Sequence, residues 1–152
     1  MKLKDDEILS FDVASMSYQK VICSQAKSYQ EAHVAKIMKH YGKNENTKVI
    51  VTGIQGLEET CVGKLVAKRL KMPNRCPRLC LNFNPTEPGV NIVTQVLVHA
   101  QHDKPVILVV ENIDKIYEEV FKPDTRRCHT KNRSTFHDML DKIGEARNVI
   151  TI

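Results

Sequence analysis

Between residues 18 and 41, YQKVICSQAKSYQEAHVAKIMKHY, the apolar positions Val21, Ile22, Ala26, Tyr29, Ala32, Val34, Ile37 and Met38 recur at roughly helical spacing. Steps of three and four put them on one stripe, so the segment predicts an amphipathic helix, with Gly42 as its stop. Residues 1–17 show only weak periodicity and read as a lead-in. After the polar turn GKNENT, the run KVIVTG is short and β-branched, without polar alternation. That is the pattern of a strand buried on both faces.

Residues 58–71 return to helical spacing, with Val62, Leu65, Val66 and Leu70 on one face. Pro73 and Pro77 then break the chain. RLCLNFN predicts a second strand, PTEPG a turn, and residues 90–101 another amphipathic helix. VILVV is the most hydrophobic run and predicts a buried strand. NIDKIYEEVF is loop or helix, and KPDTRRCHTKNR is a long polar loop. STFHDMLDKIGE predicts a helix with Ser134 as its N-cap. ARNVITI opens a further strand. Helices and strands thus alternate along the chain. This predicts an α/β three-layer sandwich in which helices cover both faces of a mainly parallel sheet.

Bulk properties change this picture little. A chain of 152 residues holds one domain with a real core. Hydrophobic residues at 41% and charged residues at 27% are ordinary for a globular protein. No apolar run approaches the length of a membrane span, and MKLKDDEILS lacks the apolar region of a secretory signal. Five irregularly spaced cysteines do not form a disulfide framework, so an intracellular location, cytoplasm or nucleus, is expected. A net charge of +5, partly clustered in KRLKMPNR and RRCHTKNR, permits nucleic-acid contact without demanding it. Two solvated basic loops are the plainer reading.

The candidate chemistry lies in two segments. The first is GIQGLEET, residues 53–60, placed between a predicted strand and a predicted helix. A phosphate-binding loop of the pattern G-x-x-x-x-G-K-[ST] occupies that position. Its glycines turn backbone N–H groups inward, its lysine neutralises the β- and γ-phosphates, and its Ser or Thr hydroxyl holds Mg²⁺. Here Gly53, Gly56 and Thr60 match. Glu58 replaces the last glycine and Glu59 replaces the lysine. The later pair Gly63 and Lys64 also spells GK, but lies past Thr60 and precedes Leu65 rather than Ser or Thr. It is set aside as a decoy.

The second segment is PVILVVENIDKI. Buried apolar residues lead to acidic ones at the carboxyl end of a strand, where ligands bind in open α/β sheets. Glu111 is placed to reach a metal. Asn112 stands where a second acid would activate water, and carries no charge. Asp114 follows.

Taken together, GIQGLEET and PVILVVENIDKI resemble the nucleotide-binding core of AAA+ ATPases, whose matching segments read like GPPGTGKT and PVILFIDEIDKL. The resemblance covers roughly residues 10–152. STFHDMLDKIGEARNVITI resembles the helix and strand leading to the family's sensor 1 residue. It implies a P-loop NTPase fold, with residues 1–17 as lead-in and 18–152 as a degenerate core lacking sensor 1, arginine finger and lid. Classical AAA, torsin-like and origin-recognition-like branches share these features alike. The implied vestigial nucleotide site comprises Gly53, Gly56, Glu58, Glu59, Thr60, Glu111, Asn112 and Asp114.

The departures decide what function to expect. A carboxylate in place of the lysine, roughly 4 to 5 Å from a phosphate at an effective dielectric near 20, turns attraction into repulsion and costs on the order of several kcal/mol. Micromolar affinity amounts to only about 8 kcal/mol. Glu58 and Glu59 are therefore expected to shield the donors that ATP would use, and acidic first-turn residues also stabilise a helix. The expected function is a catalytically inactive pseudo-ATPase domain acting as an interaction or regulatory module. It would have no cofactor, no catalytic residue and a protein partner, such as an active AAA+ relative. One alternative is an ATP- and Mg²⁺-binding subunit whose lysine role is supplied by Lys64 or a neighbouring subunit. Another is a basic DNA- or RNA-associated module. An open last strand is expected to invite association.

Cys76, Cys80, Cys128, His129 and His137 make a poor zinc set, since C-x₃-C is loose and adjacent Cys and His suit tetrahedral geometry badly. No metal is expected. No Ser-His-Asp or Cys-His order is convincing.

Overall fold

The computed structural model describes residues 3–12, 17–51, 58–81, 83–84, 100–101, 103–120 and 133–152. Strand β1 (Glu7–Asp12) pairs antiparallel with β2 (Ser17–Ile22). Helix α1 (Ser28–Asn44) and strand β3 (Asn46–Lys48) follow. Helix α2 (Glu58–Leu70), β4 (Arg78–Cys80) and β5 (Val106–Leu108) lie beyond. Helices α3 (Ile113–Val120) and α4 (Arg133–Glu145) lead to β6 (Val149–Thr151). The six strands form one sheet in the order β2-β1-β4-β5-β6-β3. All pairings are parallel except β1 with β2.

Side chains alternate across the strands, so each strand feeds two cores. Leu79, Ile107, Val109, Ile150 and Ile152 point to one face, where Val34 and Ile37 of α1 and Val62, Val66 and Leu70 of α2 cover them. Cys80, Val106, Leu108 and Val149 point to the other, where Phe136, Met139 and Ile143 of α4 and Ile116 of α3 pack. These two apolar layers make the three-layer α/β sandwich. Each buried aliphatic side chain contributes about 1.5–3 kcal/mol to holding its helix on the sheet.

Several elements differ from the sequence expectation. The helix expected from residue 18 starts at Ser28, and residues 17–22 are a strand. SYQKVI reads at helical spacing, but its pairing with β1 satisfies the backbone and overrides that weak pattern. Residues 7–12, expected as lead-in, are the strand that joins this hairpin to β4. Helix α1 also runs through Gly42. One glycine costs about 1 kcal/mol, while Ile37 and Tyr41 in the turns just before it are buried and keep the helix docked. It stops at Glu45, whose φ of 55° is left-handed and whose N–H donates to the Tyr41 carbonyl at 2.8 Å. At the start of α1, Gln30 is a buried polar residue, and its Oε1 accepts the Lys27 N–H at 2.9 Å.

The open edge is also not where expected. β6 lies between β5 and β3, so the last strand is interior. Among the described residues the exposed edges belong to β2 and β3. The helix expected over 90–101 and the polar loop expected over 122–133 lie outside the described residues, apart from Ala100, Gln101 and the backbone of Arg133, which opens α4. So does the Ser134 side chain, although α4 begins one residue before it. No helix among the described residues is long and apolar enough to cross a membrane.

Candidate functional site

Five of the strands run parallel, so the carboxyl ends of β3, β4, β5 and β6 open on one side. The chain leaves β3, jumps across β6 and β5 by way of α2 to β4, and then steps back through β5 to β6. Helix α2 lies on one face of the sheet and α4 on the other. The reversal in strand order leaves a crevice above β5 and β6, the place where open α/β sheets take ligands.

Helix α2 is pressed close to the sheet there. A Cβ built on Gly63 would stand 2.5 Å from Val109 Cγ2 and 3.5 Å from Leu79 Cδ1. Only glycine allows that approach. The GK pair set aside as a decoy thus has a definite use: its glycine seats α2 on β4 and β5. Lys64 follows about 6 Å along the axis from Thr60. With Lys68 its charge bears on the Cys23 thiol, whose pKa is raised chiefly by burial and only partly offset by these lysines. That thiol stays protonated and unreactive.

Close seating of α2 brings its first turn to the end of β5. There the Thr60 hydroxyl donates a hydrogen bond to the Glu111 carboxylate. Both residues are half-buried. The contact joins the two expected site segments across 51 residues of sequence, and it leaves Glu111 at the amino end of α2, where the helix dipole favours a negative charge.

The next residues turn away. Asn112 has a φ of 53°, in the left-handed region, and its carbonyl accepts the Ile116 N–H at 3.1 Å to begin α3. Asn is among the residues other than glycine that adopt that conformation most readily. The turn at the end of β5 therefore selects Asn112 on backbone grounds as well as any chemical ones. Asn112 and Asp114 are exposed and line a cavity of about 630 Å³ shared with Val51, Val110, His137 and Asp141. Neither Thr60 nor Glu111 lines that cavity.

The eight expected site residues therefore divide three ways. Thr60 and Glu111 are bonded to each other on the α2 side, and Asn112 and Asp114 face the cavity on the α4 side. Gly53, Gly56 and the side chains of Glu58 and Glu59 lie outside the described residues, although the backbone of both glutamates opens α2. His137 and Asp141 were not foreseen as neighbours of Asp114. Their i, i+4 spacing on a predicted helix was the available signal.

Compared with protein-family models, with curated proteins and with solved structures, the chain matches none. Among the described residues no group of three or more His, Cys, Asp or Glu side chains is arranged to hold a metal ion. Among the described residues Cys23, Cys61, Cys76 and Cys80 form no disulfide.

Proposed function

We propose that this chain is a degenerate AAA+-like domain of P-loop type that works as a non-catalytic interaction module. The observation that carries the reading is the hydrogen bond between Thr60 and Glu111. In P-loop NTPases the loop Ser or Thr and an acid at the end of the second motif strand together hold Mg²⁺. The two residues expected in those roles meet here at the head of a helix on a parallel sheet, and each satisfies the other.

The same arrangement argues against nucleotide turnover. The start of α2 already carries Glu58 and Glu59 in its first turn, with Glu111 bonded to Thr60. The described carboxylate of Glu111 already complements the helix dipole that a triphosphate would otherwise use, and the sequence adds Glu58 and Glu59 to the same turn. No lysine stands in the loop, and Asn112 has no carboxylate with which to activate water. Lys64, a turn further on, supports an ATP-binding subunit poorly.

Thermal unfolding in rising Mg-ATP and Mg-ADP tests the proposal. A site with micromolar affinity would gain about 3 kcal/mol at a hundredfold excess of ligand, or a rise of several degrees in Tm. The midpoint of the wild-type chain is expected to stay flat with either nucleotide. A rise that Thr60→Ala abolishes would instead establish an ATP-binding subunit.

A further inference from the structure

Among the described residues strand β3 is the outermost on its side of the sheet, and the residues just after it continue its course. Val49 donates its N–H to the Thr151 carbonyl at 2.9 Å, extending the pairing with β6 beyond Lys48. In a parallel ladder alternate residues serve one neighbour. Thr47 and Val49 face β6, so the backbone N–H and C=O groups of Asn46, Lys48 and Ile50 point to the open side. The Asn46 carbonyl is capped by the Thr47 hydroxyl at 2.6 Å. Among the described residues Lys48 and Ile50 are the positions left to pair, and the Ile50 side chain is 81% exposed.

A groove of about 660 Å³ runs along this edge. Helix α1 walls it on one face of the sheet, and Gly144 near the end of α4 walls it on the other. A strand laid beside β3, at the usual spacing of about 4.8 Å, would extend the sheet and enter between the two helix layers. The lining is apolar at Ile37, Val49 and Ile50, and cationic at Lys36 and Lys48, with His33 and His40 beside them. No carboxylate lines it among the described residues.

We infer that the β3 edge is a docking slot for an extended acidic segment of a partner protein, which adds a parallel or antiparallel strand. The hydrogen-bonding edge specifies an extended backbone, and the apolar floor takes alternate side chains. Lys36 and Lys48 select acidic residues between them, and of the two only Lys48 also borders the neighbouring cavity that holds Asp114 and Asp141. A second copy of this chain fits less well, because it carries the same net charge of +5. The inference is independent of the nucleotide reading, since none of the groove residues belongs to the Thr60–Glu111 pair.

Fluorescence anisotropy on the whole chain tests it, with a labelled nonapeptide alternating Glu with Val and Ile. The controls are the same peptide with Lys for Glu, and an acidic peptide N-methylated at alternate residues to block strand pairing. The acidic peptide is expected to bind at about micromolar to 100 micromolar Kd. Binding should weaken tenfold or more in a Lys36→Glu/Lys48→Glu variant, in about 0.5 M salt, and on N-methylation. An Ile50→Pro variant, which loses the outward N–H, should also lose binding. Should that variant fail to fold, the charge reversal still decides. No binding of the acidic peptide below about 1 mM, equal binding of the basic peptide, or indifference to the charge reversal overturns the inference. Dimers in light scattering that Ile50→Pro abolishes would overturn it in favour of a second copy.

Discussion

The bodies of the central strands and their carboxyl ends obey different rules. Val106, Ile107, Leu108 and Val109 are each 5% exposed or less, and they alternate cleanly between the two cores. Within three residues the chain reaches Glu111, half-buried and bonded to Thr60, and then Asn112, exposed and left-handed. Below the boundary, shape decides which residue fits. Above it, charge and backbone conformation decide. The sheet and the crevice above it can therefore vary independently, because the two regions draw on different residues.

Substitutions should separate the regions by size of effect. Phe136→Ala empties the core under α4, where the ring is 2% exposed, and is expected to cost about 3–5 kcal/mol in chemical denaturation. Gly63→Ala tests the closest approach of α2 to the sheet. Alanine favours a helix by about 1 kcal/mol, yet its methyl would meet Val109. A net loss of about 1–2 kcal/mol is expected, and a gain would mean that α2 sits further out. At the crevice the effects shrink. Thr60→Ala leaves Glu111 without its partner but within reach of water, and should cost about 1 kcal/mol. Asn112→Gly should be close to neutral, while Asn112→Val should lose about 1 kcal/mol or more through left-handed strain. If the valine variant were as stable as wild type, the backbone reason for Asn112 would fail.

The same boundary explains what could be read from the chain. VILVV and the α2 face at Val62, Val66 and Leu70 were legible because burial on a regular element leaves a periodic trace. The pairing of Thr60 with Glu111 was foreseeable only by setting two motif fragments side by side, because its partners lie 51 residues apart. The hairpin of β1 and β2 was missed, since of its twelve strand positions only Ile8 is fully buried, and SYQKVI matches helical spacing by accident. Gly63 was misjudged for another reason. A glycine needed for close packing leaves no local signature, and its meaning depends on Val109, 46 residues further on. Asn112 and Asp114 were assigned to one site with Glu111, and after the left-handed turn they line a cavity with His137 and Asp141 of α4 that Glu111 does not line.

The claim at the centre is that carboxylates at the head of α2 close a phosphate site that the fold would otherwise present. Calorimetric titration with Mg-ATP, run on the wild-type chain beside a Glu58→Gly/Glu59→Lys variant, tests it most directly. No heat of binding from the wild type and micromolar binding by the variant is the expected outcome, a difference on the order of several kcal/mol. Micromolar binding by the wild type would contradict the electrostatic closure. Silence from both proteins would mean that the crevice is not a phosphate site at all.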